Sequence, residues 1–373
     1  MEKFFKLKEK GTDVRTEMIA GITTFMTMAY ILAVNPSILG ATGMDSGAIF
    51  TATALASAIA SFCMALLANL PFVLSAGMGL NAYFAYTVVL GMGYSWEVAL
   101  TAVFAEGIVF VLLSLTNVRE AIFNAIPQTL KYGVSVGIGL FICFIGLQNA
   151  HIAVDSATLV TIFSFSQSVK AGTFNSEGIT VLLALIGIII TGYLVIKGVK
   201  GNILIGIFVT WIFGILCQLA GIYVPNPDAG FYSLIPSGVV SMPASIAPTL
   251  FKFDFSIIAE HPLDFFSVLF AFLFVDIFDT LGTLIGCASK ADMLDKDGKL
   301  PEIKGALLAD SIGTMVGACL GTSTITTFVE SSSGIAEGGR SGLTAVVSGL
   351  FFLLALFFSP IFLAIPSFAT APA

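Results

Sequence analysis

Four polar residues sit in stretches that are otherwise strongly apolar. Asp276 and Asp279 interrupt FLFVDIFDTLGTLIG, Glu330 interrupts TTFVESSSG, and Asn81 lies within SAGMGLNAYFAY. Asp276 and Asp279 are three apart and share one helix face, and the six residues before them, Phe270–Val275, are all apolar. No Lys or Arg falls at the same depth, so these carboxyls must be protonated, hydrogen-bonded or in contact with water. A buried carboxyl that takes up and releases a proton is what a proton-coupled carrier needs. Carboxylates only accept hydrogen bonds, whereas an amide both donates and accepts. Asp276, Glu330 and Asn81 together therefore suit a small planar ligand with ring N–H donors and a carbonyl or ring nitrogen. Phe328 could stack on such a ring or simply pack, Tyr83 and Phe84 are further candidates, and Ser331 adds a hydroxyl beside Glu330. Asp279 is assigned with Asp276 and Glu330 to proton coupling. Glu106 and Asp310 either serve function or hydrogen-bond a neighbouring span, and Glu337 pairs naturally with Arg340 at a span end. The five cysteines lie in separate apolar stretches without paired spacing, so neither a metal set nor disulfides are expected. The two histidines, His151 and His261, fall in outside loops, and no cofactor motif is present.

Two elements must position these groups. Thr322–Thr327 is a short β-branched run, and from Phe328 the pattern becomes helical, with Glu330 expected in the first turn. Pro71–Gly93 has the same grammar: an extended start, Gly77 and Gly79, then helix around Asn81. A strand leading into a half-length helix exposes N–H groups, which a membrane tolerates only around a cavity or within protein. Such broken helices form midplane binding sites in transporters, with two positive helix ends directed at one ligand.

The whole chain agrees with a membrane setting. Of 373 residues, 57% are hydrophobic and 10% charged, with a mean hydropathy of +0.99 and a formal charge of −7. Soluble domains carry about 25% charged residues, and the acidic balance excludes a nucleic-acid footprint. Spans of about 20 residues are expected near 18–36, 48–68, 72–92, 97–116, 131–148, 179–197, 202–224, 264–288, 304–319, 322–338 and 341–358, with a twelfth starting at the end of the sequence. Lys3, Lys6, Lys8, Lys10 and Arg15 place the N-terminus in the cytoplasm. Alternation then puts 14 of the 16 basic residues inside, as the positive-inside rule requires; only Lys170 and Lys252 fall outside. The apolar run ending at Asn35-Pro36 lacks a cleavage pattern and is read as a retained span.

Seven spans precede a Pro-rich outside loop, so a second half would enter the membrane from the opposite side, as an inverted repeat does. The expected organisation is 1–224 as the first repeat, 225–263 as the connecting loop and 264–373 as an incomplete second repeat. Glu330 lies 249 residues after Asn81, and the same offset brings Asp276 near Thr27.

The segments GITTFMTMAYILAVNP, SAGMGLNAYFAYTVV, FLFVDIFDTLGTLIG and TSTITTFVESSSGIAEGGRSGLTAVV resemble the AzgA-like purine permeases of the nucleobase–cation symporter-2 (nucleobase–ascorbate transporter) superfamily. The resemblance runs over essentially the whole chain. It implies an all-α polytopic fold of the uracil-permease type, with fourteen spans in two inverted repeats of seven and short strands in spans three and ten. It also implies a core domain from spans one to four and eight to eleven, and a gate domain from spans five to seven plus twelve to fourteen, which this sequence lacks. The implied activity is proton-driven uptake of hypoxanthine, guanine or adenine across the cytoplasmic membrane. Asn81, Asp276 and Glu330 correspond to purine-binding positions and Asp279 to a polar position needed for transport. Expected partners are a purine, protons and the lipid bilayer, with a homodimer left open. The alternatives are a carrier of another nucleobase or small anion, or a truncated fragment without activity. An anion would be repelled by Asp276 and Glu330. An intramembrane aspartyl protease, the enzyme alternative, needs aspartates on two helices, whereas Asp276 and Asp279 share one.

Overall fold

The computed structural model describes residues 2–116, 118, 127–156, 159–226, 230–296 and 299–372. Arg119, one of the basic residues counted as cytoplasmic, Pro227 of the Pro-rich loop and the terminal Ala373 lie outside the described residues, as does the side chain of Lys131.

In chain order the elements are α1 (Val14–Met28), α2 (Ile31–Gly40), α3 (Ser46–Leu67), β1 (Leu74–Ala76), α4 (Met78–Ala82), α5 (Trp96–Leu115), α6 (Gln128–Asn149), β2 (Ala153–Ser156), β3 (Leu159–Ile162), α7 (Phe165–Ala171), α8 (Ile179–Ile196) and α9 (Asn202–Leu219). They continue with α10 (Ser256–Glu260), α11 (Pro262–Lys290), α12 (Ile303–Leu320), β4 (Ile325–Thr327), α13 (Ser331–Ala336), α14 (Gly342–Ala355), α15 (Ser359–Leu363) and α16 (Ser367–Thr370). Among the described residues, eight helices are long and apolar enough to cross a membrane. The protein is a helical, multi-pass membrane protein.

Side-chain caps fix several helix starts. Asp13, Asp45 and Ser95 accept from the N–H groups of Thr16, Ala48 and Val98, which satisfies donors that a helix leaves open. Hydrogen bonding to Thr16 holds the Asp13 carboxyl below its ordinary range. The first span is divided at Ala29–Tyr30 and carries Pro36 inside α2, where the missing N–H and the ring bend a helix.

The chain forms two compact units. The first comprises Met1–Gly139 with Met242–Phe357, the second Leu140–Ser241 with Phe358–Ala373. At the heart of the first, β1 and β4 pair antiparallel, with Leu74 opposite Thr327, Ser75 opposite Thr326 and Ala76 opposite Ile325. Both strands are fully buried, so their outer polar groups must find partners within the protein. Ser61 Oγ accepts from Leu74 N, and Thr314 Oγ1 both donates to Ile325 O and accepts from Ile325 N. Gly321, in the left-handed region at φ +97°, ends α12 and turns the chain toward β4, a conformation that favours glycine. The surrounding core draws on Ala56, Ala60 and Met64 of α3, Phe110 of α5, Leu281 and Leu284 of α11 and Ala309 of α12. The small residues let spans approach closely.

In the second unit α8 packs on α9, and Trp211 Nε1 donates to Leu234 O at 2.8 Å. Here the structure departs from the all-α expectation. Within the loop expected at 149–178, β2 and β3 form an antiparallel hairpin followed by α7. The reason is local: Val154, Val160, Thr161 and Ile162 are β-branched, and this suits a pleated pair.

Candidate functional site

Each broken span is a three-residue strand followed by helix: α4, which continues as a π-helix over Tyr83–Gly91, in one span, and the short α13 in the other. Asn81 lies in α4, one turn in from Gly77, and its N–H donates to Gly77 O at 2.8 Å. Glu330 differs from expectation. It is the residue just before α13, and the helix starts at Ser331 rather than at Phe328. The strand pairing explains this. Phe328 N donates to Val73 O at 3.0 Å, and Ser331 Oγ accepts from Val73 N at 3.0 Å. The ladder therefore runs to Phe328, and the chain cannot coil before it is released. Ser331 thus ties the two broken spans together through its oxygen, and Phe328 is buried beside it.

The Glu330 carboxylate does not cap its own helix; it turns to the first span, where the Tyr30 hydroxyl donates to Glu330 Oε1 at 2.7 Å. Tyr30 is fully buried at the break between α1 and α2. Sequence reading passed over this tyrosine, although a polar group in a span is itself a signal.

Asp276 and Asp279 project from α11. Asp276 is fully buried and accepts from Thr280 Oγ1 at 2.7 Å. The same hydroxyl lies 3.0 Å from Asp310 Oδ1 of α12. One O–H donates to one acceptor at a time. Both contacts are made at full strength only when one carboxyl carries a proton and donates to the hydroxyl oxygen. Asp279 bonds the Thr326 hydroxyl and lies within electrostatic reach of Asp310 and Glu330. Asp279 thus joins β4 to the acidic side chains of Asp310 and Glu330.

Asn81 is fully buried, and its Nδ2 donates to Asn35 Oδ1 at 2.7 Å. Among the described residues its Oδ1 has no hydrogen-bond partner. A buried acceptor left unsatisfied costs about 1–3 kcal/mol, which is consistent with an atom reserved for a ligand. Tyr83 packs edge-on to Phe272, ring centroids 4.9 Å apart. Glu106 is buried and accepts from Thr324 Oγ1 at 2.7 Å, one residue before β4. Arg340 donates to the carbonyls of Ile335 and Gly339 at the end of α13. Among the described residues, no group of acidic, His or Cys side chains could hold a metal ion.

A buried strand crossing flanked by two short helices and a set of carboxyls is a transporter's arrangement, and comparison with known proteins agrees. The model of the Permease family matches residues 15–373. The chain belongs to this family. The permease is 52% identical over 374 residues to a putative permease of Methanocaldococcus jannaschii, covering 100% of this chain and 80% of that one. It is 46% identical over 388 residues to the guanine/hypoxanthine permease PbuG of Bacillus subtilis, covering 100% and 81%. It is 42% identical over 374 residues to the adenine permease AdeP of Escherichia coli, covering 100% and 78%. In fold, the permease is similar to the transmembrane domain of the cyanobacterial bicarbonate transporter BicA, with a TM-score of 0.68 at 16% identity, covering 96% and 85% of the two chains. The permease is a transporter, not an enzyme.

Proposed function

We propose that the permease takes up purine nucleobases across the cell membrane together with protons, its N-terminus lying in the cytoplasm. The observation that carries this reading is the set of acceptors at the strand crossing: the unpartnered Asn81 Oδ1 from one broken span, and Glu330 from the other. Purines bring ring and exocyclic N–H donors to such acceptors. Relatives named for adenine and for guanine/hypoxanthine support the same substrate class. The proton would reside on the Asp276–Thr280–Asp310 bridge, with Asp279 and Glu330 close by.

The fold behind this reading is an inverted repeat of seven spans per half. Ala76 and Ile325, which face each other across the strand pair, are separated by the same offset as Asn81 and Glu330. In this scheme the first compact unit is the substrate-carrying core, and the second belongs to the gate.

The test is uptake of labelled hypoxanthine and adenine into proteoliposomes. An inward proton gradient should accelerate it, and a protonophore should collapse it. Glu330→Gln turns one acceptor oxygen into a donor. A charge-assisted hydrogen bond contributes about 1.5–3 kcal/mol, so affinity should fall about tenfold or more, while Glu337→Gln should leave it nearly unchanged. Sodium-driven, protonophore-insensitive uptake would exclude proton coupling, and a Glu330→Gln variant that binds like the parent would exclude the site.

A further inference from the structure

We propose that Asn35 is a positioning residue that dictates which end of the Asn81 amide meets the substrate. The two side chains are fully buried, on the first and third spans. Asn35 uses its whole amide on protein. Its Nδ2 donates to Thr53 Oγ1 at 2.7 Å and to Thr322 Oγ1 at 2.9 Å, and its Oδ1 accepts from Asn81 Nδ2 at 2.7 Å.

The direction of this chain of bonds is anchored at one end by a group that cannot donate. Thr53 Oγ1 donates its only hydrogen to the backbone carbonyl of Ile49 at 2.7 Å, so toward Asn35 it is an acceptor. Asn35 must then present Nδ2 to Thr53 and Oδ1 to Asn81. Asn81 must in turn present Nδ2 to Asn35, because turning its amide over would set two carbonyl oxygens 2.7 Å apart. The Oδ1 of Asn81 is left facing away, and it is the atom that finds no partner among the described residues.

The consequence is selective. Asn81 turns its free acceptor, Oδ1, to the ligand, keeping beside it only the one Nδ2 hydrogen not given to Asn35, and Glu330 also accepts. The inference rests on the reading that Asn81 meets the substrate, and it deepens it. The substrate must bring N–H donors to both broken spans, so a purine alkylated at the ring nitrogen facing Asn81 is rejected.

Binding of labelled hypoxanthine to the purified permease tests this in a double-mutant cycle. Asn35→Leu frees the Asn81 amide to turn and should weaken binding roughly tenfold. Asn35→Asp keeps the acceptor for Asn81 Nδ2 but sets an oxygen against Thr53 Oγ1, so it should recover only part of the affinity lost in Asn35→Leu. In an Asn81→Ala background, Asn35→Leu should cost nothing further, whereas a purely structural role for Asn35 would add the same loss in both backgrounds. A fold-independent arm uses the parent chain and hypoxanthines singly methylated at each ring nitrogen. At least one methylation should abolish binding to the parent yet add no loss in Asn81→Ala. Additive losses, an Asn35→Leu variant that binds like the parent, or equal binding of every methylated base overturns the proposal. If the parent fails to bind hypoxanthine, or Asn81→Ala binds as the parent does, the functional reading itself falls and takes this inference with it.

Discussion

The Tyr30 hydroxyl donates to Glu330 Oε1 across 2.7 Å, joining residues 300 positions apart in the chain. It engages one of the two carboxylate oxygens. Hydrogen bonds to charged groups contribute about 1.5–3 kcal/mol. Tyr30→Phe keeps the ring in its buried place while releasing Glu330, so substrate binding should weaken about tenfold, and the thermal midpoint should fall as the carboxylate loses its donor. A dissociation constant equal to the parent's would show that Glu330 needs no such hold.

Thr280 bridges Asp276 and Asp310 through a single hydroxyl. Thr280→Val preserves shape and removes the bridge, so proton-driven uptake should fall at least tenfold. Thr280→Ser, which keeps the hydroxyl, should transport at near the parent's rate. Equal uptake by the Val and Ser variants would separate the bridge from transport.

Glu17 is fully buried and joins α1 to the start of α14. Its carboxylate accepts from Arg340 N, Ser341 N, Thr344 N and Thr344 Oγ1. Glu17→Ala strands these donors away from water, each at about 1–3 kcal/mol. The thermal unfolding midpoint in detergent should drop markedly, and a substrate present at saturation should recover part of the loss. An unchanged midpoint would contradict this role.

Tyr94 OH donates to Asp264 Oδ2 at 2.6 Å, and this bond raises the phenol above its ordinary range. A group whose folded pKa is raised contributes stability that is present below its unfolded value and is lost as pH rises through the folded one. The link between Tyr94 and the first turn of α11 should therefore hold at neutral pH and fail only in strong alkali. Ultraviolet titration of the parent against Tyr94→Phe checks this, since the component absent from the variant should ionise later than free tyrosine.

Much of this architecture was legible from residue order alone. Hydropathy marked the eight helices that are long and apolar enough to cross a membrane, because the cost of a charge in hydrocarbon acts on each segment independently. The β-branched run at Thr322–Thr327 and the glycines near Asn81 marked the two broken spans, because strand and helix preferences are local. The lone carboxyls of Asp276, Asp279 and Glu330 stood out for the same reason. The hairpin β2–β3 was missed because its β-branched residues lie in a loop that carries no hydropathy signal.

Composition and spacing settled that this chain crosses a membrane, breaks two of its spans and buries acids within them. Only the tertiary structure decided how those acids and amides are held. Glu330 precedes its helix because Val73 extends the ladder to Phe328 and Ser331, and its carboxylate faces Tyr30. Asn81 turns its oxygen away from Asn35 because Ile49, Thr53 and Thr322 fix the direction of the bonds between them. Burial is a property of a segment and can be read along it. A hydrogen bond needs its partner, and here the partners come from spans separated by as many as 327 residues.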